Sequence, residues 1–246
     1  MNSTLFLYLD ILGFRQLIRH PERVDWLFMQ LDSARIHQDS NYRSIVFSDT
    51  LIAYNTRIIR SREDKTIEVM FLIELVQEFL SRLVGSGISF RAIITEGNFQ
   101  YKRLHNIEAY YGQALVDAFE DEKIIRSTGL FLDHALSDFN SIFKTCRYSD
   151  EYDFVFVTQI IAEIEGFASN HYWEDMTLLG SDLPIPNEVL GEYDELGPRL
   201  HEEIIHLRDI FHGFSTHQDE KVRSKYCENW RMYEAQYPNV TRCLRE

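Results

Sequence analysis

The sequence predicts an α+β fold, a ferredoxin-like sheet covered by helices, followed by a C-terminal helical appendage. In the first 160 residues, strand-like and helical segments follow the order β-α-β-β-α-β, which is the order of a ferredoxin-like sheet. After about residue 160 the pattern changes to longer amphipathic stretches. With 246 residues, 45% of them hydrophobic, the chain can bury a substantial core. We expect a main domain at 1–160 and a helical extension at 161–246 packed on it.

The first half of the main domain reads as strand, helix, hairpin and helix. Residues 4–12 predict a strand, and helical patterns follow before and after Pro21. The β-rich residues 42–59 predict one long strand or a hairpin pair, closed by a charged turn at 61–65. Segment 67–84 carries apolar residues at helical spacing and predicts a helix with a buried face.

The second half adds three strands and a helix. Residues 88–99 predict a central strand, and a helix begins after the turn glycine Gly112. Short strands are predicted near 129–133 and 151–157.

The extension predicts two long helices after a proline-containing loop, SDLPIPNE. They lie around 198–213 and 218–235. Tyr226, Trp230 and Tyr233 fall on related faces of the second helix, which is typical of packing rather than of ligand recognition.

Composition and charge narrow the possible partners. The formal net charge of −14 argues against nucleic acid and anionic membranes, because both need clustered Lys and Arg. The N-terminal apolar run is too short for a signal peptide or a membrane span and is interrupted by Asp10, so we expect a cytoplasmic protein without direct membrane binding. Three cysteines without CxxC spacing indicate neither a disulfide framework nor a structural zinc site.

Several familiar motifs are absent or misplaced. The histidines of HEEIIH, residues 201–206, are five apart, which turns them about 140° from each other on a helix, off the shared face that HExxH zinc binding requires. The sequence has no GxxxxGK[ST] loop, no GxGxxG after a strand and no GxSxG elbow. P-loop, Rossmann and serine-hydrolase functions are therefore unsupported.

Two aspartates stand at the polar edges of apolar strands, Asp10 in LFLYLDILGF and Asp49 in SIVFSDTLIAY. A carboxylate in such a place is normally paired, hydrogen-bonded or bound to a cation, since its desolvation is costly. The predicted sheet places the first strand beside the third, so the two side chains could share divalent cations. Two such cations can neutralise a triphosphate, activate an attacking hydroxyl and stabilise a leaving pyrophosphate. The alternative is a pair of strand-end or N-capping acids.

The sequence resembles the class III nucleotide cyclases over roughly residues 4–160. Their first strand carries a D-I-x-G-F pattern, matched here by DILGF at residues 10–14, and their second metal aspartate sits in a hairpin, matched by Asp49 in FSDTLIAY. RAIITEGNF resembles the family strand that ends in a glycine, and YYGQALVDAFEDE resembles the family's G-x-x-V-N-x-A-x-R segment.

Departures from this pattern bear on the substrate. Ile45 and Ala109 stand where purine cyclases carry a base-reading lysine and its partner acid, so the contacts that select a purine are missing. Val116 and Glu120 stand where purine cyclases place the asparagine and arginine that assist the transition state.

YGQALVDAFEDEK also resembles the G-x-A-L-x-x-A-[YF]-x-x-E form found in pyrimidine cyclases of the Pycsar antiphage systems, which keep the two aspartates and a C-terminal helical extension. This resemblance implies that residues 1–160 are a nucleotide cyclase catalytic domain. It implies a homodimer that converts UTP, or less favourably CTP, to the 3′,5′-cyclic monophosphate and pyrophosphate with Mn²⁺ or Mg²⁺, two ions per site. The cyclic nucleotide would be a second messenger of antiviral defence, sensed by a separate effector protein.

The resemblance also implies roles for individual residues. Asp10 and Asp49 would hold the metal ions, with the Ile11 carbonyl as a further ligand. Backbone amides that would hold phosphate oxygens are those of Leu12, Gly13 and Phe14.

The base and the transition state need further polar groups. Tyr54 and Arg91, on strands beside the cleft, could stack on a pyrimidine and donate to its carbonyl groups, although a strand tyrosine often packs and Arg91 could pair with an acid. Lys144 or Arg147 could neutralise the transition-state phosphate; the simpler interpretation is that both are solvent-exposed.

Three other functions stay open. An inert nucleotide-binding module would keep the fold and dimer and lose turnover. A cyclic-dinucleotide synthase would use the same acids, but the sequence lacks a GG[DE]EF-like turn. A purely structural interaction protein would explain the acidic surface and the C-terminal helices, but it gives no reason for the two aspartates.

Overall fold

The computed structural model describes residues 3–169, 176–179, 183–186 and 196–245. The chain divides into two compact units, residues 1–83 with 88–157, and residues 84–87 with 158–246. Only residues 183–186 of the predicted SDLPIPNE loop are among those described. The catalytic role given to residues 1–160 stays a prediction at this point.

The first unit is built from strands and helices. Its elements are β1 (Thr4–Ile11), α1 (Phe14–Leu17), α2 (Pro21–Asp32), a 3₁₀ helix (Arg35–Gln38), β2 (Tyr42–Phe47), β3 (Thr50–Asn55), α3 (Arg62–Leu83), β4 (Phe90–Gly97), β5 (Gln100–Arg103), β6 (Glu108–Tyr111), α4 (Gln113–Ile124), β7 (Gly129–Asp133), a 3₁₀ helix (His134–Phe139), β8 (Lys144–Arg147) and β9 (Tyr152–Phe156).

A seven-stranded sheet with the order β2-β3-β1-β4-β7-β9-β8 forms the first unit. Strand β1 is antiparallel to both β3 and β4, and the β4–β7 pair is parallel. The first four strands thus lie in the order 2-3-1-4 with helices in the connections, which is the ferredoxin-like arrangement. The predicted α+β fold with a ferredoxin-like sheet is confirmed.

Strand β1 divides its residues between two faces, because side chains alternate along a strand. Leu5, Leu7, Leu9 and Ile11 are buried in the main hydrophobic core, to which α3 contributes most of its apolar residues. Tyr8 and its i+2 neighbour Asp10 therefore belong to the opposite face. This alternation is what sets a carboxylate into an otherwise apolar strand.

Helix α3 begins earlier than predicted, and the charged turn at 61–65 is wrong from Arg62 onward. The hydroxyl of Ser61 accepts a hydrogen bond from the amide of Asp64 at 3.0 Å, as an N-cap does. Glu63 and Asp64 lie in the first turn, where the helix dipole favours acids. The charges therefore mark a helix start.

The hairpin β5–β6, here called the arm (residues 100–111), was not predicted. Gly112 links it to α4 with a φ of 151°, and a Cβ added there would lie 2.1 Å from the carbonyl oxygen of Asn98. Only glycine fits this junction.

Helices dominate the described part of the second unit. Its elements are α5 (Gln159–Ser169), β10 (Met176–Leu179), β11 (Leu183–Pro186), α6 (Leu196–Thr216), α7 (Glu220–Gln236) and α8 (Pro238–Cys243). Helices α6 and α7 confirm the two predicted long helices. Tyr226, Trp230 and Tyr233 are buried, which agrees with packing.

The HEEIIH segment stabilises a helix start within this unit. Glu203 is buried, and its carboxylate accepts hydrogen bonds from the amides of Gln159, Ile160 and Ile161 at 2.9, 3.2 and 2.8 Å. These are first-turn amides of α5, which no backbone carbonyl can satisfy. Among the described residues, no helix has the length and apolar character required to cross a membrane.

Candidate functional site

The two predicted metal aspartates lie on adjacent strands. Asp10 is in β1 opposite Thr50, and Asp49 immediately precedes β3. The amide of Ile11 donates to the carbonyl oxygen of Asp49 at 2.8 Å, which continues the β1–β3 pairing past Thr50. The structure therefore brings Asp10, Ile11 and Asp49 together at one end of these two strands.

A tight hairpin holds Asp49 at this place. Phe47 pairs with Thr50, so Ser48 and Asp49 form a two-residue loop. Ser48 has a φ of 57°, the left-handed conformation that two-residue hairpin loops require. The loop ends β2 and starts β3 within two residues, which places Asp49 beside the end of β1.

Tyr8, which the sequence analysis missed, lies near the two aspartates and near a third carboxylate, that of Glu122. Burial raises the pKa of the Tyr8 hydroxyl, a hydrogen bond with Thr50 lowers it, and the nearby charges of Glu122, Asp10 and Asp49 raise it further. All three carboxylates thus lie near one hydroxyl. The i, i+2 spacing from Asp10 was the signal available for Tyr8; Glu122 lies on α4 and gave none.

Arg91, predicted as a base contact, pairs with two of these acids. It lies opposite Asp10 in β4 and is only 2% exposed. Its Nη2 donates to Asp10 at 3.1 Å and also to Glu122. Its Nη1 donates to the carbonyl oxygen of Ile125 at 2.6 Å, just past the end of α4. The contact with an acid, left open above, is the one observed, and a contact with a base stays a prediction.

The turn after β1 contains the predicted phosphate-binding amides. The amide of Leu12 donates to the carbonyl oxygen of Ser89 at 2.8 Å and is therefore engaged. Gly13 has a φ of 73° and precedes α1. Within the described residues, no hydrogen-bond acceptor is found for the amides of Gly13 and Phe14. The predicted set of phosphate donors narrows to these two.

Tyr54 lies away from the aspartates. It pairs with Phe6, four residues along β1 from Asp10, which corresponds to about 13 Å at strand spacing. Its ring packs against Phe99 with centroids 4.7 Å apart, beside a cavity of about 350 Å³. Within one chain the structure does not bring Tyr54 to the metal-binding end.

Lys144 and Arg147 lie on β8, four strands from β1 and thus about 19 Å across the sheet. Arg147 contacts Asp153 at 3.4 Å and His134 at 2.6 Å. Both cations are exposed, as the simpler interpretation held, and neither lies beside Asp10.

The residues at the site fit a hard divalent cation. Mg²⁺ and Mn²⁺ prefer oxygen ligands, and Mg²⁺ is often held by one or two carboxylates together with substrate phosphates. Asp10 and Asp49 supply two carboxylates. Among the described residues, no group of three or more His, Cys, Asp or Glu side chains is arranged to hold a metal. Water or phosphate oxygens would therefore complete the coordination.

No family model and no curated protein matches the chain. Solved structures with a similar fold include the adenylyl cyclase CyaB from P. aeruginosa, at 11% identity and a TM-score of 0.47, covering 63% of this chain and 94% of that one. The guanylate cyclase domain of RhGC from Catenaria anguillulae has 10% identity and a TM-score of 0.44, covering 63% and 96%. The monomeric guanylyl cyclase domain of RhoGC from Blastocladiella emersonii has 13% identity and a TM-score of 0.46, and the match covers 63% of this chain and 95% of that one. These TM-scores are below 0.5, so the activity must be inferred from the residues of this chain.

Proposed function

We propose that the protein is a nucleotide cyclase that converts a pyrimidine nucleoside triphosphate, UTP rather than CTP, to its 3′,5′-cyclic monophosphate and pyrophosphate. The observation that carries the proposal is the meeting of Asp10 and Asp49, through the Ile11–Asp49 hydrogen bond, at the end of adjacent strands. Both acids lie where DILGF and FSDTLIAY resemble the metal-binding motifs of cyclases.

Each residue of the site has a definite task in this function. Asp10 and Asp49 hold two Mg²⁺ or Mn²⁺ ions, which supply charge for the triphosphate and for the departing pyrophosphate. The Ile11 carbonyl adds a ligand, and the amides of Gly13 and Phe14 orient phosphate oxygens. Arg91 fixes the Asp10 carboxylate through Nη2.

The proposed preference for a pyrimidine rests on the lack of charged side chains at the two positions that would contact a purine. Ile45 lies on β2 opposite Ile52, and Ala109 lies on β6, so neither position offers a charged group to a purine. Tyr54, with its ring against Phe99, is the candidate for base contact. Because it is distant from Asp10 of its own chain, it would act on a nucleotide held by a second copy.

A homodimer agrees with one group of exposed apolar side chains of the first unit. This group lies on the β2–β3 hairpin, the arm and α4: Phe47, Leu104, Ile107, Tyr111, Val116 and Phe119. Phe47 is 77% exposed, an unusual state for a phenylalanine unless another surface covers it. In the proposed system the product is a second messenger of antiphage defence that a separate effector senses.

The test is to incubate the purified protein and Mn²⁺ with ATP, GTP, CTP and UTP in turn and to identify products by mass spectrometry. We expect cyclic UMP and pyrophosphate from UTP, lost in Asp49→Asn and retained in Asp138→Asn, a matched change at an exposed aspartate of the same unit. Cyclic CMP alone would change the base, and cyclic AMP or GMP would overturn the pyrimidine assignment.

An inert nucleotide-binding module is the second candidate. Val116 and the exposed Glu120 replace the asparagine and arginine that purine cyclases use in the transition state. This function predicts nucleotide binding in the presence of Mn²⁺ without any cyclic product.

A further inference from the structure

Arg91 divides one side of its guanidinium between two carboxylates. Its Nη2 donates both to Asp10 on β1 and to Glu122 on α4, and Nη1 is held by the carbonyl oxygen of Ile125. Its Nε has no hydrogen-bond partner among the described residues. The charge of this buried cation is therefore balanced through a single nitrogen with two acids.

The two acids differ in what else they can bind. Asp10 lies beside Asp49, where a divalent cation would compete with Arg91 for its oxygens. Glu122 accepts from the same Nη2 but lies on α4, a helix whose end Arg91 also contacts through Ile125.

Removing the only acidic partner of a buried cation is costly, because the cation then lacks both water and a counter-charge. Without Glu122, Asp10 would be the one carboxylate among the described residues that pairs with Arg91, so a metal that drew its Oδ2 away would leave the guanidinium without a counter-charge. With Glu122 present, Arg91 keeps a carboxylate throughout. Glu122 should therefore lower the free-energy cost of cation binding at Asp10.

We propose that Glu122 is a positioning residue that retains Arg91 when Asp10 binds a divalent cation, and so couples cation binding to the end of α4. This inference rests on the proposed function, since it assumes that Asp10 is a metal ligand. It predicts that Glu122 affects cation affinity without being a ligand itself.

The experiment measures Mn²⁺ affinity, without nucleotide, by the electron paramagnetic resonance signal of free Mn²⁺. We expect Glu122→Gln to weaken Mn²⁺ binding about tenfold, a usual size for coupling between sites. Glu122→Asp keeps the charge and should restore the affinity to within about threefold on the same basis. Glu120→Gln is the matched control, because it removes the same charge from an exposed position of the same helix.

Hydrogen exchange separates coupling from mere stability. Mn²⁺ should change the protection of amides at residues 122–126 in the wild type and in Glu122→Asp, but not in Glu122→Gln. If Glu122→Gln does not fold, the test uses the wild type and Glu122→Asp. If Mn²⁺ does not change the amide protection of residues 122–126 in these two proteins, the coupling is overturned.

The outcomes distinguish the inference from the function beneath it. Equal Mn²⁺ affinity in the wild type, Glu122→Gln and Glu120→Gln overturns the coupling and leaves the metal site intact. An equal loss in the two Gln variants also overturns it, since the cause is then long-range charge. No Mn²⁺ binding by the wild type, or binding unaffected by Asp10→Asn, overturns the metal site and the coupling together.

Discussion

Replacing Arg91 by methionine should destabilise the first unit strongly. The change keeps an unbranched apolar stem and removes the donors to Asp10, Glu122 and the Ile125 carbonyl. Breaking a buried ion pair from one side costs about 3–5 kcal/mol, because the partners lose their counter-charge. The side chains of Asp10 and Glu122 are 13% and 21% exposed, so water can partly hydrate them once Arg91 is removed. We therefore expect a loss at the lower end of this range, about 3 kcal/mol.

The assay is native-state hydrogen exchange in β1 and β4, read by mass spectrometry at increasing urea. Local readout is needed because two units need not unfold together. Arg82→Met is the matched control: Arg82 also pairs with a carboxylate, Glu78, at 2.7 Å, but its side chain is 30% exposed. A solvent-accessible pair of this kind should cost about 1 kcal/mol or less.

A double variant makes the prediction stricter. Adding Glu122→Met to Arg91→Met removes one of the two stranded acids, so the double variant should be more stable than Arg91→Met alone by about 1 kcal/mol, an ordinary coupling energy for residues in contact. Equal losses in Arg91→Met and Arg82→Met, or no recovery in the double variant, would refute a buried ion-pair network at Arg91.

Further predictions concern the second unit and the junction of the arm. Burial raises the pKa of Glu203 from 4.5 to about 7, so the folded state binds a proton more tightly than the unfolded state does. This contribution to stability is fully present below about pH 4.5 and is lost as pH rises to about 7. Burial lowers the pKa of His206 to about 4, so stability is instead lost as pH falls from about 6.5 to 4. The two residues change the free energy of unfolding in opposite directions as pH falls. Glu203→Gln removes one of them, so urea titrations of this variant should show a loss of about 3 kcal/mol on acidification from the His206 contribution alone. A pH profile equal to that of the wild type would contradict the prediction. Gly112→Ala should abolish the arm junction, because the added Cβ would lie 2.1 Å from the carbonyl oxygen of Asn98. In Gly97→Ala the nearest atom to the added Cβ is the Cβ of Ala114 at 3.0 Å, so this variant should be less destabilised; equal melting temperatures in the two variants would contradict the prediction.

The sequence predicts an element well where one face is buried. The strand expected near 129–133 is found at Gly129–Asp133, because GLFLD is an apolar run next to a glycine. The arm was missed for the opposite reason. Residues 101–103 of β5 are all exposed, so their pattern carries no burial signal. Helix α5 was also not predicted, and its first amides are capped by Glu203, which is distant in sequence and so leaves no local start signal.

The same distinction applies to the site. Asp10 and Asp49 could be placed together because the order of neighbouring strands follows from the succession of elements. Glu122 could not be placed, because its contact with Arg91 depends on how α4 packs against the sheet. Tyr54 fell on a predicted strand, but its distance from Asp10 depends on the register.

The charges at the site explain how so acidic a chain could hold a triphosphate. Asp10, Asp49 and Glu122 lie near one hydroxyl, and Arg91 is the cation that the described residues place among them. This cluster repels a phosphate chain, and the net charge of −14 adds to the repulsion. Divalent cations bound by the aspartates reverse the local sign. Nucleotide affinity should therefore depend on the concentration of divalent cations. The free energy required to break the contact between Asp10 and Arg91 determines how readily the cations bind and reverse the local charge.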